Sequence, residues 1–253
     1  MVYNSLTEVP RNLKECIDWL IALKGDDAEN NLKAMGKALY GLLADKLVGF
    51  TEVPALEKVK HVSEVFLRRQ GIRDQPFVKE LLQRFNKPMD KSPKKIGNVI
   101  KGVEESDYKN VVKARGTKPE AIAKNLGKVV DAYEKFLDDI KAPDQYESAY
   151  SSEATWEASC SKEPEACVVI LVGIAPMLYA SVRPLKDVGK FATVYAVDPM
   201  EENRVGSVLE AVGYKEPECR AGTSGSDVLK VSRGVDKDVL DIIYDFAAFW
   251  AFY

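Results

Sequence analysis

The sequence has very few of the residues on which most catalytic and metal sites depend. A single histidine, His61, occurs in 253 residues, and the four cysteines form no C-x-x-C pair. Structural zinc sites combine cysteine and histidine at short spacings, so this composition argues against such a site. A serine-type triad would need His61 as its base, yet no serine lies in a G-x-S-x-G turn. His61 is therefore predicted to be an exposed helix residue.

Motifs that bind phosphate groups or cofactors are absent as well. The small polar run at 221–226 contains no lysine and follows no predicted strand, so it is typical of a flexible linker. Adjacent acidic pairs such as Glu104 and Glu105 point in different directions on a helix and do not converge on a metal ion. We therefore predict no catalytic, cofactor-binding or metal-binding residue, and we expect that the protein is not an enzyme.

Signals for export or membrane insertion are also scarce. The first eight residues contain no charged region followed by an apolar stretch, and no Asn-x-Ser/Thr site for glycosylation occurs. The longest uncharged run, Ala166–Val182, has 17 residues. That length is at the short limit for crossing a bilayer core of about 30 Å. A buried core helix is therefore favoured over a membrane span.

Apolar residues recur at steps of three and four almost throughout the chain, which predicts an all-α fold. The clearest pattern is at 118–140, and Thr117 with Glu120 predicts a capping box at its start. The run Phe191–Val197 has a strand-like composition. Since no second strand is evident, an extended loop or a helical turn is expected there.

The polar run at 87–95 contains two prolines and no periodicity, so it is predicted to be a linker. It would separate an N-terminal helical unit, 1–86, from a C-terminal helical unit, 96–253. Packing of both units into one domain is left open. The predicted architecture is an irregular antiparallel helical bundle, in which an elongated arrangement is also open.

The chain ends in an unusually aromatic helix that is predicted to begin at about Asp236. Its apolar side carries four large aromatic residues, Phe246, Phe249, Trp250 and Tyr253. One interpretation makes this helix the last element of the core, because aromatic side chains bury a large area. The alternative makes the four residues candidates for docking a partner.

Two cysteines are candidates for a disulfide. Cys160 and Cys167 are seven positions apart, and a turn before Pro164 could bring their sulfur atoms together. The alternative is that Cys167, like Cys16, is a small core residue.

Charge is distributed unevenly along the chain. Residues 57–128 carry 18 Lys and Arg against 9 Asp and Glu, whereas residues 131–170 carry 3 against 10. The two stretches could be solvated faces that partly neutralise each other. Alternatively, the basic stretch contacts an anionic partner or lipid. The densest part of that candidate patch is Lys91, Lys94, Lys95 and Lys101. Few aromatic residues lie between these lysines, so no nucleic-acid partner is predicted.

Three stretches carry a resemblance to a known group of proteins. The run NLKE-x-IDWL at Asn12–Leu20 resembles the opening motif of variant erythrocyte surface antigens of Babesia-type parasites. The stretches Gln145–Cys160 and Gly234–Tyr253 are similar to sequences of the same parasites' multigene families, some of which are described as binding extracellular matrix. Together the three stretches cover under a quarter of the chain.

The resemblance implies an exported, antigenically variable protein on or near the infected red cell. Its implied roles are adhesion and immune evasion, with a host-cell or erythrocyte surface protein as partner. Members often lack an obvious signal peptide, as this chain does, but usually have a membrane span near the C-terminus. Because the sequence reaches Tyr253 without such a span, it is expected to be a fragment, or a secreted or parasite-internal relative. The alternative function is an internal scaffold or membrane-peripheral protein that uses its basic patch. The resemblance implies no catalytic residue, and it leaves the oligomeric state open.

Overall fold

The computed structural model describes residues 2–87, 103–194, 207–215, 218–219 and 225–253. Within these ranges the chain forms helices and no strand, apart from two isolated backbone bridges, so the all-α prediction is confirmed. A short 3-10 turn spans Glu105–Asp107, and residues 207–211 are also helical. The α-helices are α1 (Leu13–Lys24), α2 (Ala28–Leu43), α3 (Pro54–Leu67), α4 (Pro76–Asn86), α5 (Val111–Ala114), α6 (Pro119–Ile140), α7 (Trp156–Ser159), α8 (Pro164–Val194), α9 (Gly225–Ser232), α10 (Lys237–Ala247) and α11 (Phe249–Phe252).

Helix α8 lies at the centre of the fold. It packs against α2, α3, α9 and α10, which suits a helix that is apolar on every side. The stretch Pro164–Arg183 is long and apolar enough to cross a membrane by length and composition, but most of its residues are buried inside the protein. The predicted core helix is therefore confirmed.

Proline is accommodated within α8, which continues through Pro176. Pro176 has no N–H to donate to the carbonyl one turn earlier. The neighbouring carbonyl of Gly173 accepts a hydrogen bond from Ser63 Oγ at 2.6 Å. Residues 191–194 form the last turn of α8, which agrees with the helical alternative for 191–197, and residues 195–197 lie outside the described ranges.

Two glycines allow helices to approach each other closely. A Cβ atom on Gly36 of α2 would lie 2.7 Å from the backbone nitrogen of Ala123 in α6. A Cβ atom on Gly173 of α8 would overlap the side chain of Val59 in α3. Since real Cβ atoms do not approach other atoms so closely, these two contacts require glycine.

Helix α6 has the predicted position, but it begins differently. Its N-cap is Lys118, and no side chain caps the first turn, so the predicted capping box is wrong. The box would require Thr117 as the N-cap, whereas the Thr117 N–H donates to the Val112 carbonyl at 2.9 Å. That bond closes the turn after α5, and α6 therefore starts one residue later than the box requires.

The C-terminal aromatic residues belong to the core. Phe246, Phe249, Trp250 and Tyr253 are all buried, so the alternative that they dock a partner is wrong. Ala248 adopts a left-handed conformation with φ of 51°, which separates α10 from α11. The Phe249 ring then lies 4.7 Å from the ring of Tyr244 and 4.8 Å from that of Tyr253, distances typical of packed aromatic pairs.

The helices before and after residues 88–102 share one core. Helix α2 packs on α6, α3 packs on α8, and the buried apolar residues of both sides form a single cluster. A buried ion pair also joins the two sides, because Arg84 Nη1 of α4 lies 2.5 Å from Asp107 Oδ1 of the 3-10 turn. Of the predicted linker 87–95, only Lys87 lies within the described ranges.

Candidate contact surface

The loop between α2 and α3 exposes large apolar side chains to solvent. This contact loop comprises residues 44–53. Leu47 is 81 % exposed, Val48 46 % and Phe50 44 %. Isolated exposed apolar residues are ordinary in proteins, but a group of them is typical of a binding surface.

The backbone of the contact loop is firmly held despite this exposure. The buried amide of Asn110 donates to the carbonyls of Leu43, Ala44 and Lys46 at 2.9 to 3.1 Å. The N–H groups of Gly49 and Thr51 donate to carbonyls of the C-terminal segment, Trp250 at 2.9 Å and Ala251 at 2.7 Å. These bonds fix the loop from both sides, so it cannot fold its apolar side chains inward without breaking them.

Lys60 joins the contact loop to α3 and to the C-terminal segment. Its ammonium donates to the Phe252 carbonyl at 2.6 Å and lies 5.1 Å from the centre of the Phe50 ring. The Lys60 residue is only 4 % exposed. A cation over an aromatic face is attractive, so this contact orients Phe50.

A cavity of about 550 Å³ lies at the end of α2 where the contact loop begins. Its apolar lining comes from α2, α5, α6 and α10, and its polar lining comes mainly from the turn between α5 and α6. The apolar residues include Leu43, Val111, Val112, Ile122, Ile242 and Phe246, and the polar ones include Arg115, Thr117, Lys118, Glu120, Asn125 and Asp245.

Two carboxylates hold Arg115 at the cavity. Arg115 Nε lies 3.0 Å from Glu105 Oε2, and Arg115 Nη1 lies 2.5 Å from Asp245 Oδ2. Desolvation opposes the charge on Arg115, but the two carboxylates outweigh it and raise the pKa of the guanidinium. Burial raises the pKa of Asp245 above its ordinary value although Arg115 acts against it, and the bond from Arg115 lowers the pKa of Glu105.

Basic residues lie in the same region, together with the exposed acidic residues Asp45, Glu52 and Glu120. Residues 109–118 contain Lys109, Lys113, Arg115 and Lys118 but no acidic residue. Among the described carboxylates, none forms an ion pair with Lys46, Lys113 or Lys118. Asn110 connects this segment to the contact loop, because its Oδ1 accepts from the Lys113 N–H at 3.1 Å while its amide nitrogen holds residues 43–46. The apolar loop and a cationic segment therefore share one anchoring residue.

The structure also locates other residues singled out from the sequence. Lys91, Lys94, Lys95 and Lys101 lie outside the described ranges. The His61 side chain is 74 % exposed, as predicted. Within the described part of the chain, no group of three or more His, Cys, Asp or Glu residues is placed to hold a metal ion.

Cys160 and Cys167 form a disulfide with their Cα atoms 6.1 Å apart. Both cysteines are buried, and the bridge connects α7 to the first turn of α8. Cys16 is a buried free thiol in α1, and burial raises its pKa well above the ordinary value.

The residues of the NLKE-x-IDWL run have structural roles in α1. Asn12 caps the helix by accepting from the Glu15 N–H at 2.9 Å. Glu15 in turn accepts from the Tyr3 hydroxyl at 2.9 Å, and Trp19 Nε1 donates to the Leu6 carbonyl at 2.8 Å. The run therefore fastens the segment before α1 to the body of the protein.

The same run also binds the second stretch of the resemblance. Asp18 is 3 % exposed and accepts from the Tyr146 hydroxyl at 2.6 Å and from the Ala149 N–H at 2.8 Å. Lys14 donates to the Glu147 carbonyl at 2.6 Å. The resemblance thus falls on residues that hold the interior together, whereas the contact loop lies outside all three stretches. Sequence reasoning missed that loop, although the run LVGF at 47–50 between two helices was a signal for it.

The fold and this surface define an all-α protein with a fixed apolar contact loop beside a cationic segment. The chain matches no family model, no curated protein and no solved structure. A proposal about its function therefore depends on the geometry of the described residues and on the resemblance of the three stretches.

Proposed function

We propose that the chain is a non-enzymatic protein of an intraerythrocytic parasite, exported to the surface of the infected red cell or secreted, that acts in adhesion and antigenic variation. Its partner in this proposal is a host-cell or erythrocyte surface protein.

The disulfide between Cys160 and Cys167 is the observation that carries the proposal. Disulfides form and persist in oxidising environments and are rare in the reducing cytosol. A buried structural disulfide therefore supports a location outside the parasite cytosol. That location agrees with the export that the resemblance implies.

The distribution of structural roles supports antigenic variation. Two of the three stretches of the resemblance meet in internal contacts, such as Asp18 with Tyr146, and the third supplies α10 and α11 to the core. Exposed positions make few such contacts, and surface substitutions usually change stability by no more than about 0.5 kcal/mol. The surface of this fold could therefore change between relatives while the interior stays the same.

The titratable groups support a binding role rather than a catalytic one. Arg115 and Asp245 both line the cavity, and their charges neutralise each other in a direct salt bridge. Asp18 and Tyr146, whose pKa values are both raised, bond to each other in the interior and do not line the cavity.

Localisation in infected cells tests the proposed function. Antibodies against the recombinant chain should label intact infected erythrocytes or detect the protein in culture supernatant. A parasite-cytosolic protein, stained in parallel, should be visible only after permeabilisation. Labelling that requires permeabilisation of the parasite itself, with nothing in the supernatant, would contradict the proposal.

Adhesion requires a separate measurement. The recombinant chain should bind erythrocytes, and mild protease treatment of those erythrocytes should abolish the binding, because the proposed partner is a protein. Binding that survives removal of surface proteins would contradict a protein partner without affecting the localisation result.

The alternative function, a membrane-peripheral or scaffold role of the patch at Lys91, Lys94, Lys95 and Lys101, stays a prediction. Changing Lys94 and Lys95 to Glu should abolish salt-sensitive binding to anionic vesicles if that patch is used. The variant leaves the contact loop intact, so the two surfaces can be distinguished.

A further inference from the structure

We propose that residues 3–8, the strap, form a lid over the disulfide between Cys160 and Cys167, and that the oxidation state of this disulfide controls the lid. The strap stays closed while the disulfide is intact. When a dithiol reductant cleaves the disulfide, the strap detaches from the body of the protein. This inference does not depend on the proposed adhesion, because it concerns contacts inside the fold and no host protein.

The strap is held at both ends by one neighbouring segment. The Tyr3 N–H donates to the Ala149 carbonyl at 2.7 Å, and the Ser151 N–H donates to the Tyr3 carbonyl at 2.9 Å. At the other end, the Tyr150 hydroxyl donates to the Glu8 carbonyl at 2.6 Å. Because the strap is not helical, it can open by losing a few such contacts while the helices stay folded.

The middle of the strap lies on the disulfide. Leu6 is fully buried, and its carbonyl oxygen lies 4.0 Å from Cys167 Sγ. Cys160 and Cys167 are fully buried as well. Asn4 and Thr7, on either side of Leu6 in the strap, are exposed, so the strap is a single layer of chain between Cys167 and solvent. Lifting the strap therefore opens a path from solvent to Cys167 Sγ.

Ser159 connects the strap to the disulfide a second time. Its hydroxyl accepts from the Leu6 N–H at 2.9 Å, and the next residue in the chain is Cys160. Ser159 is the last residue of α7, a helix of only four residues. A helix this short is not stable by itself, so its position depends on contacts with the rest of the fold. The disulfide ties its end to α8 and thereby fixes the acceptor that holds the middle of the strap.

Reduction of the disulfide requires direct access to a sulfur atom. A thiolate of the dithiol attacks one sulfur of the pair and forms a mixed disulfide, which the second thiol of the reductant then displaces. The reductant is oxidised to a disulfide, and Cys160 and Cys167 together gain two electrons and two protons. The closed strap obstructs the first attack because it covers Cys167 Sγ.

The coupling between the strap and the disulfide acts in both directions. If the closed strap favours the oxidised cysteine pair, the oxidised pair favours the closed strap by the same factor. The strap is therefore closed in the oxidising environments in which disulfides persist, and it is released where dithiol reductants act, as in a reducing cytosol.

Reduction kinetics test the lid. The folded chain is treated with excess dithiothreitol and alkylated at intervals, and mass spectrometry measures the remaining disulfide. Ser159→Ala removes the acceptor of the Leu6 N–H and should accelerate reduction about tenfold, because the strap opens more often. Tyr150→Phe removes the bond to Glu8 and leaves α7 unchanged, and it should accelerate reduction about threefold. Ser152→Ala, at an exposed position between the two, should leave the rate unchanged.

Hydrogen exchange tests the release of the strap. The amides of Tyr3 and Leu6 should exchange about tenfold faster in the reduced protein than in the oxidised protein. Cys160→Ser with Cys167→Ser should reproduce the rates of the reduced protein. The Gly49 amide of the contact loop, which is also held by a carbonyl outside its own segment, provides the control and should exchange at the same rate in both states.

Three results would overturn the proposal. The first is a rate of reduction in Tyr150→Phe that equals the rate in the wild type, because the strap would then not cover the disulfide. The second is equal exchange of the Leu6 amide in the oxidised and reduced proteins. The third is an equal acceleration at Leu6 and Gly49, which would mean that reduction loosens the whole fold and not the strap.

Discussion

Two irregular segments of this protein are anchored in the same way, but their large side chains face in opposite directions. In the segment at 142–155, the side chains of Tyr146 and Tyr150 turn inward, and the Tyr150 hydroxyl donates to the Glu8 carbonyl at 2.6 Å. In the contact loop at 44–53, Leu47 and Phe50 turn outward. The exposure of the contact loop is therefore a property of its side chains and not of a loose backbone.

The anchors of the two segments are polar side chains buried in the helical body. Asp18, 3 % exposed, holds residues 146–149, and Asn110, 8 % exposed, holds residues 43–46. A buried polar group is costly unless its hydrogen bonds are made, so each anchor fixes one conformation of its segment. A buried polar side chain thus holds both the inward-facing segment at 142–155 and the exposed contact loop.

The largest effect is expected from removal of the interior anchor. Asp18→Ala leaves the Tyr146 hydroxyl and the Ala149 N–H without their acceptor. Loss of two bonds to a buried charged group should lower the free energy of unfolding by about 3 kcal/mol. Urea unfolding measures the loss, and Glu29→Ala, at a side chain that is 78 % exposed, should change stability very little. Equal losses in both variants would show that Asp18 is not an anchor.

The disulfide between Cys160 and Cys167 connects the end of α7 to the first turn of α8. Cys160→Ser with Cys167→Ser removes a crosslink between positions seven apart. The lost constraint on the unfolded chain corresponds to about 2.5 kcal/mol. The reduced wild type and the variant should unfold at the same urea concentration, and the oxidised wild type should unfold at a higher one. A reduced wild type that is as stable as the oxidised protein would contradict this role.

Removal of the exterior anchor should have a smaller and more local effect. Asn110→Ala removes the donor for three carbonyls and the N-cap of α5, at an expected cost of about 2 kcal/mol. Hydrogen exchange should accelerate at the amides of Gly49 and Thr51 and remain slow at Ala149. Uniform acceleration at all three amides would mean that the two segments do not open independently.

A weaker effect is expected from pH. Burial raises the pKa of Asp18 above its ordinary value, although bonds from Ala149 and Tyr146 and the charge of Lys14 act against it. A carboxyl whose pKa is higher in the folded state stabilises the folded protein. This contribution is complete at a pH below the unfolded-state pKa of about 3.9, and it is lost as the pH rises through the folded-state pKa. Unfolding measured from pH 3.5 upward should show this decline in the wild type. Asp18→Asn should lack it, and an identical profile in both proteins would contradict the assignment.

The smallest change is predicted for the contact loop itself. Leu47→Ser should alter the free energy of unfolding by no more than about 0.5 kcal/mol, because the Leu47 side chain is mostly in solvent. Leu6→Ser, at a fully buried position, supplies the contrast and should be strongly destabilising. A loss above about 1 kcal/mol at Leu47 would place that side chain in the core and remove the distinction between the two segments.

Periodicity predicted the helices well because the chain is amphipathic at helical spacing. The positions of α6 and α8 follow from their apolar residues, and Asp236 caps α10 at 3.0 Å as its position in the sequence suggests. The capping box predicted for α6 was wrong because the Thr117 N–H bonds to the Val112 carbonyl in the turn after α5, a contact that the helical pattern of the sequence does not indicate.

The contact surface was much less predictable. Leu47 and Phe50 look like core residues in the sequence. Bonds from Asn110 and bonds to the carbonyls of Trp250 and Ala251, all distant in the chain, show why these side chains stay exposed. The buried role of Asp18 was hidden for the same reason, since its partners at 146 and 149 are distant in sequence. Packing of the C-terminal aromatics was favoured from their size, and the turn at Ala248 accounts for it.

The free thiol of Cys16 gives a direct way to time the motions of α1. It is fully buried, so a thiol reagent can reach it only when the helix separates from the core, and burial also raises its pKa. In a Cys219→Ser background, the labelling rate of Cys16 would therefore report how often that separation occurs. The same measurement on Asp18→Ala would show how much more often α1 separates from the core when the hydrogen bonds of Asp18 are lost.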